Sequence, residues 1–461
     1  MPQVPRTAPP TSLTPGHTRP ALLVALALLL IPWLLGSCGS SGESPAKPAD
    51  TTAAQLAATM NAALRGTDSI TGRGVVRVTT TLGTQTYAFS FAATSRGDYR
   101  LETEWRRLPT HAVATQYRRS AVIYNAVEHK LVTHSREPAT VEPSTGALVP
   151  LPSGSPSSPS GSPSSSSGST LPADRWTVET GVPGFAVLAE GTTDLEGLGP
   201  LAPEFASSAR AALAAQGSTA IAGSTSGGRA VWATTVAIPW PSPPSDRVLS
   251  RVRLVVDQAS GLTRTMTLVF ADGWRAEIEY SDLEPGAAVP PDAFDTSVPS
   301  GSVPPGSAAT RADLFRFISL NEATALSGVP ALLPTFTLSG FELSQVATAQ
   351  TGRHGSFGLA TDLWLVYRDG LQSYQLRLQT APFGLTPQWQ DFAGLTTRDL
   401  DHGPFAGVPA RTWVRGAAQG TFDFAGPGLF VENGQEVARF SGDLLPYEYW
   451  QVANSLKPYS P

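Results

Sequence analysis

Few side chains in this sequence have the types and spacing that chemistry needs. Cys38 is the one cysteine, so neither an internal disulfide nor a multi-cysteine metal site can form. Ser44-Pro45-Ala46-Lys47 has the S-x-x-K spacing of serine acyl enzymes, but it stands in a small, polar stretch where nothing would bury or orient the pair. Gly223 to Gly227 has the outline of a nucleophile elbow with Thr225, not serine, at its centre. There is no H-E-x-x-H, no phosphate-binding glycine loop and no dinucleotide fingerprint. The histidines after Cys38 are His111, His129, His134, His354 and His402. His129 and His134 are five apart around a strand end, which puts them on opposite faces, and they read as solvated surface histidines. The acids are scattered along polar strand faces, where ordinary solvation accounts for them. These patterns point to no enzyme: no catalytic residue, no metal and no cofactor are expected.

What remains for Cys38 is acylation. Residues 1–37 carry Arg6 and Arg19 and no acid, and Ala21 to Leu35 run apolar with Pro32 as the one interruption. A basic start, a short apolar core and a small-residue cleavage site make an export signal. The run is about 15 residues, short for ~30 Å of hydrocarbon. Leu35-Gly36-Ser37-Cys38 resembles the lipobox of bacterial lipoproteins. That resemblance implies a diacylglyceryl group on the sulfur and cleavage before Cys38; an ordinary signal peptide with an incidental cysteine is the alternative. Two or more acyl chains, at roughly 0.8 kcal/mol per buried methylene, give stable anchoring. The membrane is then the first partner, and the body lies outside the cytoplasm. Gly39 stands where an aspartate retains lipoproteins at the inner membrane of diderm bacteria, so an outer-membrane location stays open.

The whole chain has 32 basic and 37 acidic residues; without residues 1–37 the count is 30 against 37. An acidic chain without a basic cluster excludes nucleic acid as the expected partner. Only 15% of residues are charged, with 43 glycines and 41 prolines, a turn-rich β profile more than a helical one.

Residues 38–49 read as a flexible tether. A helix begins after Asp50 or Thr51 as N-cap, with Leu56, Met60 and Leu64 on one face and Gly66 at its close. Strands follow. Tyr87, Phe89 and Phe91 alternate with small residues. Tyr99, Leu101, Thr103 and Trp105 face one way, while Arg100, Glu102, Glu104 and Arg106 face the other, the period of a sheet with one wet side. Val122 to Asn125 and Lys130 to His134 read as two more strands. Residues 143–173 hold no charge, and 153–169 are only Ser, Gly and Pro; such a segment cannot offset its ordering entropy and is expected to be disordered. Pro203 to Ala215 reads as a helix. From 251 to 280, Leu254, Leu268, Trp274 and Ile278 belong to one apolar face of a three-stranded meander turned at Asp257–Gly261 and Asp272-Gly273. Residues 302–310 make a linker, and a second domain runs from 311 to 461. There Ser319 to Glu322 has capping-box spacing, with Gly328 stopping that helix. Arg368-Asp369-Gly370 turns a hairpin. Pro446 opens a last helix with Tyr449, Val452, Ala453 and Leu456 as its buried stripe.

Three local features resemble the LolA/LolB-type lipoprotein carrier superfamily, whose relatives include regulators of envelope-stress sigma factors. The helix ending at Arg65-Gly66 leads to Thr71-Gly72-Arg73-Gly74 and a strand. Val122-Ile123-Tyr124-Asn125 is followed by a turn and Lys130-Leu131-Val132. Asp257 with Gly261-Leu262 precedes two strands and then Val289-Pro290, Asp292, Phe294, Val298-Pro299 and Gly301. The likeness covers 50–301, with 143–173 as an insertion. The tail resembles a domain attached to such proteins in Gram-positive bacteria and found in lipoprotein-sorting proteins. The resemblance implies an α+β fold: an N-terminal half-barrel antiparallel sheet covered by helices, plus a smaller C-terminal α+β domain. It also implies an apolar cavity for acyl chains, faced by Tyr87, Phe89, Phe91, Tyr99, Leu101, Trp105, Leu254, Leu268, Trp274 and Ile278, though the same residues could fill a closed core. Two functions stand: a carrier or sensor of lipid or acylated lipoprotein, or a non-enzymatic regulator whose partner is another envelope protein, such as an anti-sigma factor.

Overall fold

The computed structural model describes residues 48–81, 83–107, 116–141, 148–150, 174–184, 203–241, 248–300, 302, 309–310, 315–325, 331–336, 338, 340–350, 361–380, 389–416 and 426–459. The export signal, Cys38, the Ser44–Lys47 stretch, most of the tether, most of 143–173, Gly328, His111 and His354 lie outside them.

The first helix, α1 (Ala53–Leu64), starts one residue later than Thr51 as N-cap would give, and two later than Asp50 would. Thr52 is the N-cap because Gln55, three residues on, closes a reciprocal box. The Gln55 N–H donates to Thr52 Oγ1 at 3.3 Å, and the Thr52 N–H donates to Gln55 Oε1 at 3.1 Å. Thr51–Thr52 pairs with Ala220–Ile221 instead. The next two free N–H groups, of Ala53 and Ala54, donate to the carbonyls of Thr219 and Gly217, each at 2.9 Å. Those carbonyls follow α2 (Pro203–Ala215), the helix expected from the sequence. Ala53 and Ala57 of α1 and Ala209, Ala211 and Ala212 of α2 are buried together. With no side chain beyond Cβ, the two helices can pack closely.

The first sheet has thirteen strands among the described residues. Its main strands are β1 (Ser69–Thr80), β2 (Gly83–Thr94), β3 (Tyr99–Arg107), β4 (Gln116–Asn125), β5 (Lys130–Val141), β6 (Asp174–Thr180), β7 (Gly223–Ser226), β8 (Arg229–Ala237), β9 (Leu249–Asp257), β10 (Thr263–Phe270) and β11 (Arg275–Pro285). The order is β7-β8-β9-β10-β11-β1-β2-β3-β4-β5-β6, an open antiparallel sheet. Leu148–Pro150, inside the segment expected to be disordered, pairs with Ala139–Val141. Ala309–Thr310, inside the expected linker, adds in parallel to Glu179–Thr180.

Register explains the Thr71-Gly72-Arg73-Gly74 motif. Gly72 lies opposite Phe91 and Gly74 opposite Phe89. A Cβ at Gly72 would fall 2.2 Å from Phe91 Cε1, and one at Gly74 would fall 2.1 Å from the Glu279 carbonyl oxygen. The aromatic rings of β2 lie over bare backbone in β1.

The second sheet orders β12 (Phe315–Phe317), β13 (Glu342–Gln350), β14 (Thr361–Asp369), β15 (Gln372–Thr380), β16 (Thr396–Asp399), β17 (Pro409–Trp413), β18 (Gly428–Glu432) and β19 (Glu436–Gly442) as β12-β13-β14-β15-β19-β18-β17-β16. Helix α3 (Leu320–Thr324) carries the expected box between Ser319 and Glu322. Helix α4 (Pro446–Asn454) buries Tyr449, Val452 and Ala453. Leu456 is buried too, but it opens a short strand, Leu456–Pro458, paired with Leu332–Pro334.

The β14–β15 hairpin turns later than Arg368-Asp369-Gly370 suggests. Asp369 still pairs with Gln372, leaving a two-residue Gly370-Leu371 turn with Gly370 at φ +55°. This places Arg368 in a ladder position rather than on a loop. The hairpin tip docks on the end of α1: the Leu371 N–H donates to the Leu64 carbonyl at 3.0 Å, and the Gly66 N–H to Asp369 Oδ1 at 3.3 Å. Both sheets thus belong to one compact unit, Pro48–Pro461.

Two expectations about polar residues fail. Acids are not all solvated: Asp98, Asp362, Asp443 and Glu448 have side chains at most 15% exposed and pair with Arg96, Arg377, Arg210 and Arg65. Both histidines are half-buried and stacked. His129 sits before β5 at φ +50°, its ring 3.7 Å from that of Phe317, and burial pushes its pKa down. His134 stacks on Trp176 at 4.2 Å and lies 3.1 Å from Asp174. Among the described residues no cluster of three metal-ligating side chains occurs.

Candidate ligand-binding site

The ten residues expected to face a cavity lie in one cluster with α1 and α2. Tyr87, Phe89, Leu101, Leu254, Leu268 and Ile278 are buried, while Phe91, Tyr99, Trp105 and Trp274 pack against them partly buried. The alternation set this face correctly, since strand residues two apart share a side. Neighbouring strands then pair the aromatic side chains directly, as Tyr87 does with Trp105, whose ring lies 6.4 Å away. The helices press onto most of this face through Leu56, Met60 and Leu213.

A cavity of about 240 Å³ opens where that packing ends. Of the ten residues, Phe91 and Tyr99 line it; the other eight belong to the packed core. Its apolar wall is completed by Met60 and Leu64 at the end of α1, Ile70 of β1, Met266 of β10 and Leu283 of β11. The remaining side comes from the second sheet, through Arg368 and Leu371 of the β14–β15 hairpin, Ser373, and Asp443 beyond β19. Its size falls just below the range of ligand cavities, roughly 300–1,000 Å³.

One end is polar and mostly satisfied internally. Arg210 of α2 donates to Asp443 Oδ1 at 2.9 Å, Ser207 Oγ donates to the same oxygen, and the Ser373 N–H donates to Oδ2 at 3.1 Å. Burial pushes the Arg210 guanidinium below its usual range, and Asp443 opposes that shift. Asp98 accepts from Thr94 Oγ1 at 2.9 Å and Arg96 Nε at 2.7 Å through one oxygen, and from the Ala126 N–H at 2.9 Å through the other.

Arg368 differs. Its Nε is buried with no hydrogen-bond partner among the described residues, and burial pushes its pKa down. Two glycines of the cavity wall flank its guanidinium. A Cβ at Gly97, itself at φ +99°, would fall 2.6 Å from Arg368 Cζ; one at Gly184 would fall 2.9 Å from Nη2. Tyr99 and Tyr280 also line the cavity, and burial raises the pKa of both phenols well above the usual range.

Arg210, Arg368 and Asp443 were not identified as site residues from sequence. The Arg210–Asp443 contact joins positions 233 residues apart, and no local pattern signals such a meeting. Met60 carried a signal, its place with Leu56 and Leu64 on one face of α1.

No protein-family model matches the chain, and no curated protein matches it. The complex of MucA and MucB from Pseudomonas aeruginosa is similar over 89% of this chain and 99% of that one, at 12% identity and a TM-score of 0.25. A domain assigned to outer-membrane lipoprotein sorting, from Vibrio parahaemolyticus, is similar over 52% of this chain and 95% of its own, at 9% identity and a TM-score of 0.19. For a LolA superfamily protein from Nitrosomonas europaea the figures are 53%, 98%, 9% and 0.18. Solved structures similar to this chain thus include a LolA superfamily protein and a lipoprotein-sorting domain.

Proposed function

We propose that the protein is a carrier or sensor outside the cytoplasm, anchored through a lipid on Cys38, that takes the acyl chain of a lipid or acylated lipoprotein into the cavity beside Phe91 and Tyr99. In this reading the open first sheet, with α1 and α2 on one face, serves as a half-barrel, and its packed aromatic face is the floor behind the cavity. The observation that carries the proposal is the unfilled apolar space between Met60, Phe91, Met266 and Leu283. At about 30 Å³ per water-sized unit, 240 Å³ holds on the order of eight methylenes. Their transfer from water is worth roughly 0.8 kcal/mol each, about 6 kcal/mol before the cost of association. Among the described residues no helix is long and apolar enough to cross a membrane; the attachment proposed is through Cys38.

Photo-crosslinking tests this. The full chain, in isolated membranes, is irradiated with a decanol analogue bearing a terminal diazirine, and labelled peptides are mapped by mass spectrometry. The label is expected on peptides carrying Met60, Phe91 or Leu283 and is displaced by unlabelled decanol. Labelling confined to exposed apolar residues such as Val127 and Tyr447, or indifferent to competitor, rejects the reading.

A further inference from the structure

We propose that Arg368 receives the oxyanion of an amphiphile whose single chain fills the cavity, so that the site selects carboxylates or phosphate monoesters over neutral heads. The inference rests on the acyl-binding reading above and adds the chemistry of the head.

Each of the other arginines near this end has a carboxylate. Arg210 holds Asp443 at 2.9 Å, Arg65 holds Glu448 at 2.7 Å, and Arg96 holds Asp98. The two carboxylates whose charges act on Arg368, Asp443 and Asp98, already have other donors. Asp443 accepts from Ser207, Arg210 and the Ser373 N–H, and Asp98 accepts from Thr94, Arg96 and the Ala126 N–H. Arg368 therefore sits at the wall of an apolar space as the cation without a hydrogen-bonded anion among the described residues. A buried charge left so is costly, and an oxyanion from outside would remove that cost.

The shape agrees. A guanidinium presents a planar fork that takes two oxygens of a carboxylate or phosphate at once, where an ammonium offers a point charge. At Gly97 and Gly184 the wall beside that fork is bare backbone, and a Cβ at either position would meet the guanidinium. Next to it, Leu371 and Leu64 begin the apolar lining. Head and tail requirements thus meet in one ligand: an anion at Arg368 continuous with a chain on the order of eight methylenes long.

The test competes unlabelled amphiphiles against the neutral diazirine-decanol probe on the full chain in membranes. Decanoate, decyl phosphate or both should displace the probe at a concentration at least tenfold lower than decanol, and decyltrimethylammonium should be weaker than decanol. Displacement by only one of the two anions supports the proposal and tells carboxylate from phosphate. In Arg368→Gln the advantage of the anion over decanol, both measured on that variant, should fall to within about twofold; Arg368→Lys should keep part of it. If decanol competes as well as both anions on the unsubstituted chain, the role of Arg368 is overturned while the acyl cavity stands. That comparison needs no variant, so it decides even if Arg368→Gln folds poorly. If the probe labels nothing at the cavity, the acyl reading falls and this inference with it.

Discussion

Removing one partner of the Arg210–Asp443 pair should cost far more than a surface ion pair is worth. Their side chains are 4% and 15% exposed, and the nitrogen–oxygen distance is 2.9 Å. Two charges about 4 Å apart at an effective dielectric near 20 interact by about 4 kcal/mol, and breaking a buried pair by removing one member costs about 3–5 kcal/mol. Arg210→Met leaves Asp443 with only Ser207 and the Ser373 N–H. Asp443→Asn leaves a buried guanidinium without its counter-charge. Each single variant should therefore lose about 3–5 kcal/mol, read from urea unfolding followed by tryptophan fluorescence and checked against far-ultraviolet circular dichroism. The double variant removes both charges together, and its loss should fall short of the sum of the singles by about 1–3 kcal/mol. Single losses below about 1 kcal/mol, the worth of an exposed pair, or strictly additive losses, would refute the claim that this pair ties α2 to the second sheet.

Gly74→Ala puts a methyl group 2.1 Å from the Glu279 carbonyl oxygen. Because that atom is backbone in the neighbouring strand, the variant should lose about 1–3 kcal/mol, visible as a lower urea midpoint; an unchanged midpoint contradicts the register. Thr52→Ala removes the α1 cap and should cost about 1 kcal/mol, with Thr52→Ser restoring most of it. Burial lowers the His129 pKa below its unfolded value near 6.5, so the unfolded chain binds more protons between those two values. Its contribution is complete above about pH 6.5 and is lost as pH falls through the folded pKa. His129→Asn, which tolerates the positive φ, should show a smaller drop in stability from pH 7.5 to pH 5.5 than the unsubstituted chain. An equal drop in both assigns the acid sensitivity to other groups.

The sequence disclosed elements where burial is one-sided. Helix α2 was read to the residue, and the meander β9 to β11 emerged because Arg251, Arg253, Glu277 and Glu279 alternate with Val252, Leu254, Ala276 and Ile278. Caps and turns slipped where local chemistry offered neighbours of equal merit. Asp50 and Thr51 are good caps, but Thr52 is the one that Gln55 answers three residues on. Arg-Asp-Gly has turn composition, but the ladder extends to Asp369 and carries Arg368 inward with it. The acids of the junction looked soluble for the same reason: Asp443 and Glu448 gain their arginines from residues 210 and 65. Periodicity located the apolar face, but it could not say which part the helices would leave uncovered. That boundary depends on alanines in α1 and α2 packing over the sheet and on a hairpin some 300 positions from the first helix.

The central seam of the first sheet joins β1 to β11, where 202 positions separate Arg77 from Glu279. A chain that emerges N-terminus first presents β1 about 200 positions ahead of its second neighbour. Until β11 arrives, the outward amides and carbonyls of a strand bearing Val76 and Val78 have water but no strand as partner, and truncated products ending before Arg275 should pair with one another through that edge. Completing the seam also closes a loop whose entropy cost is on the order of 5 kcal/mol. The last strand of the meander is therefore the piece that completes the first sheet.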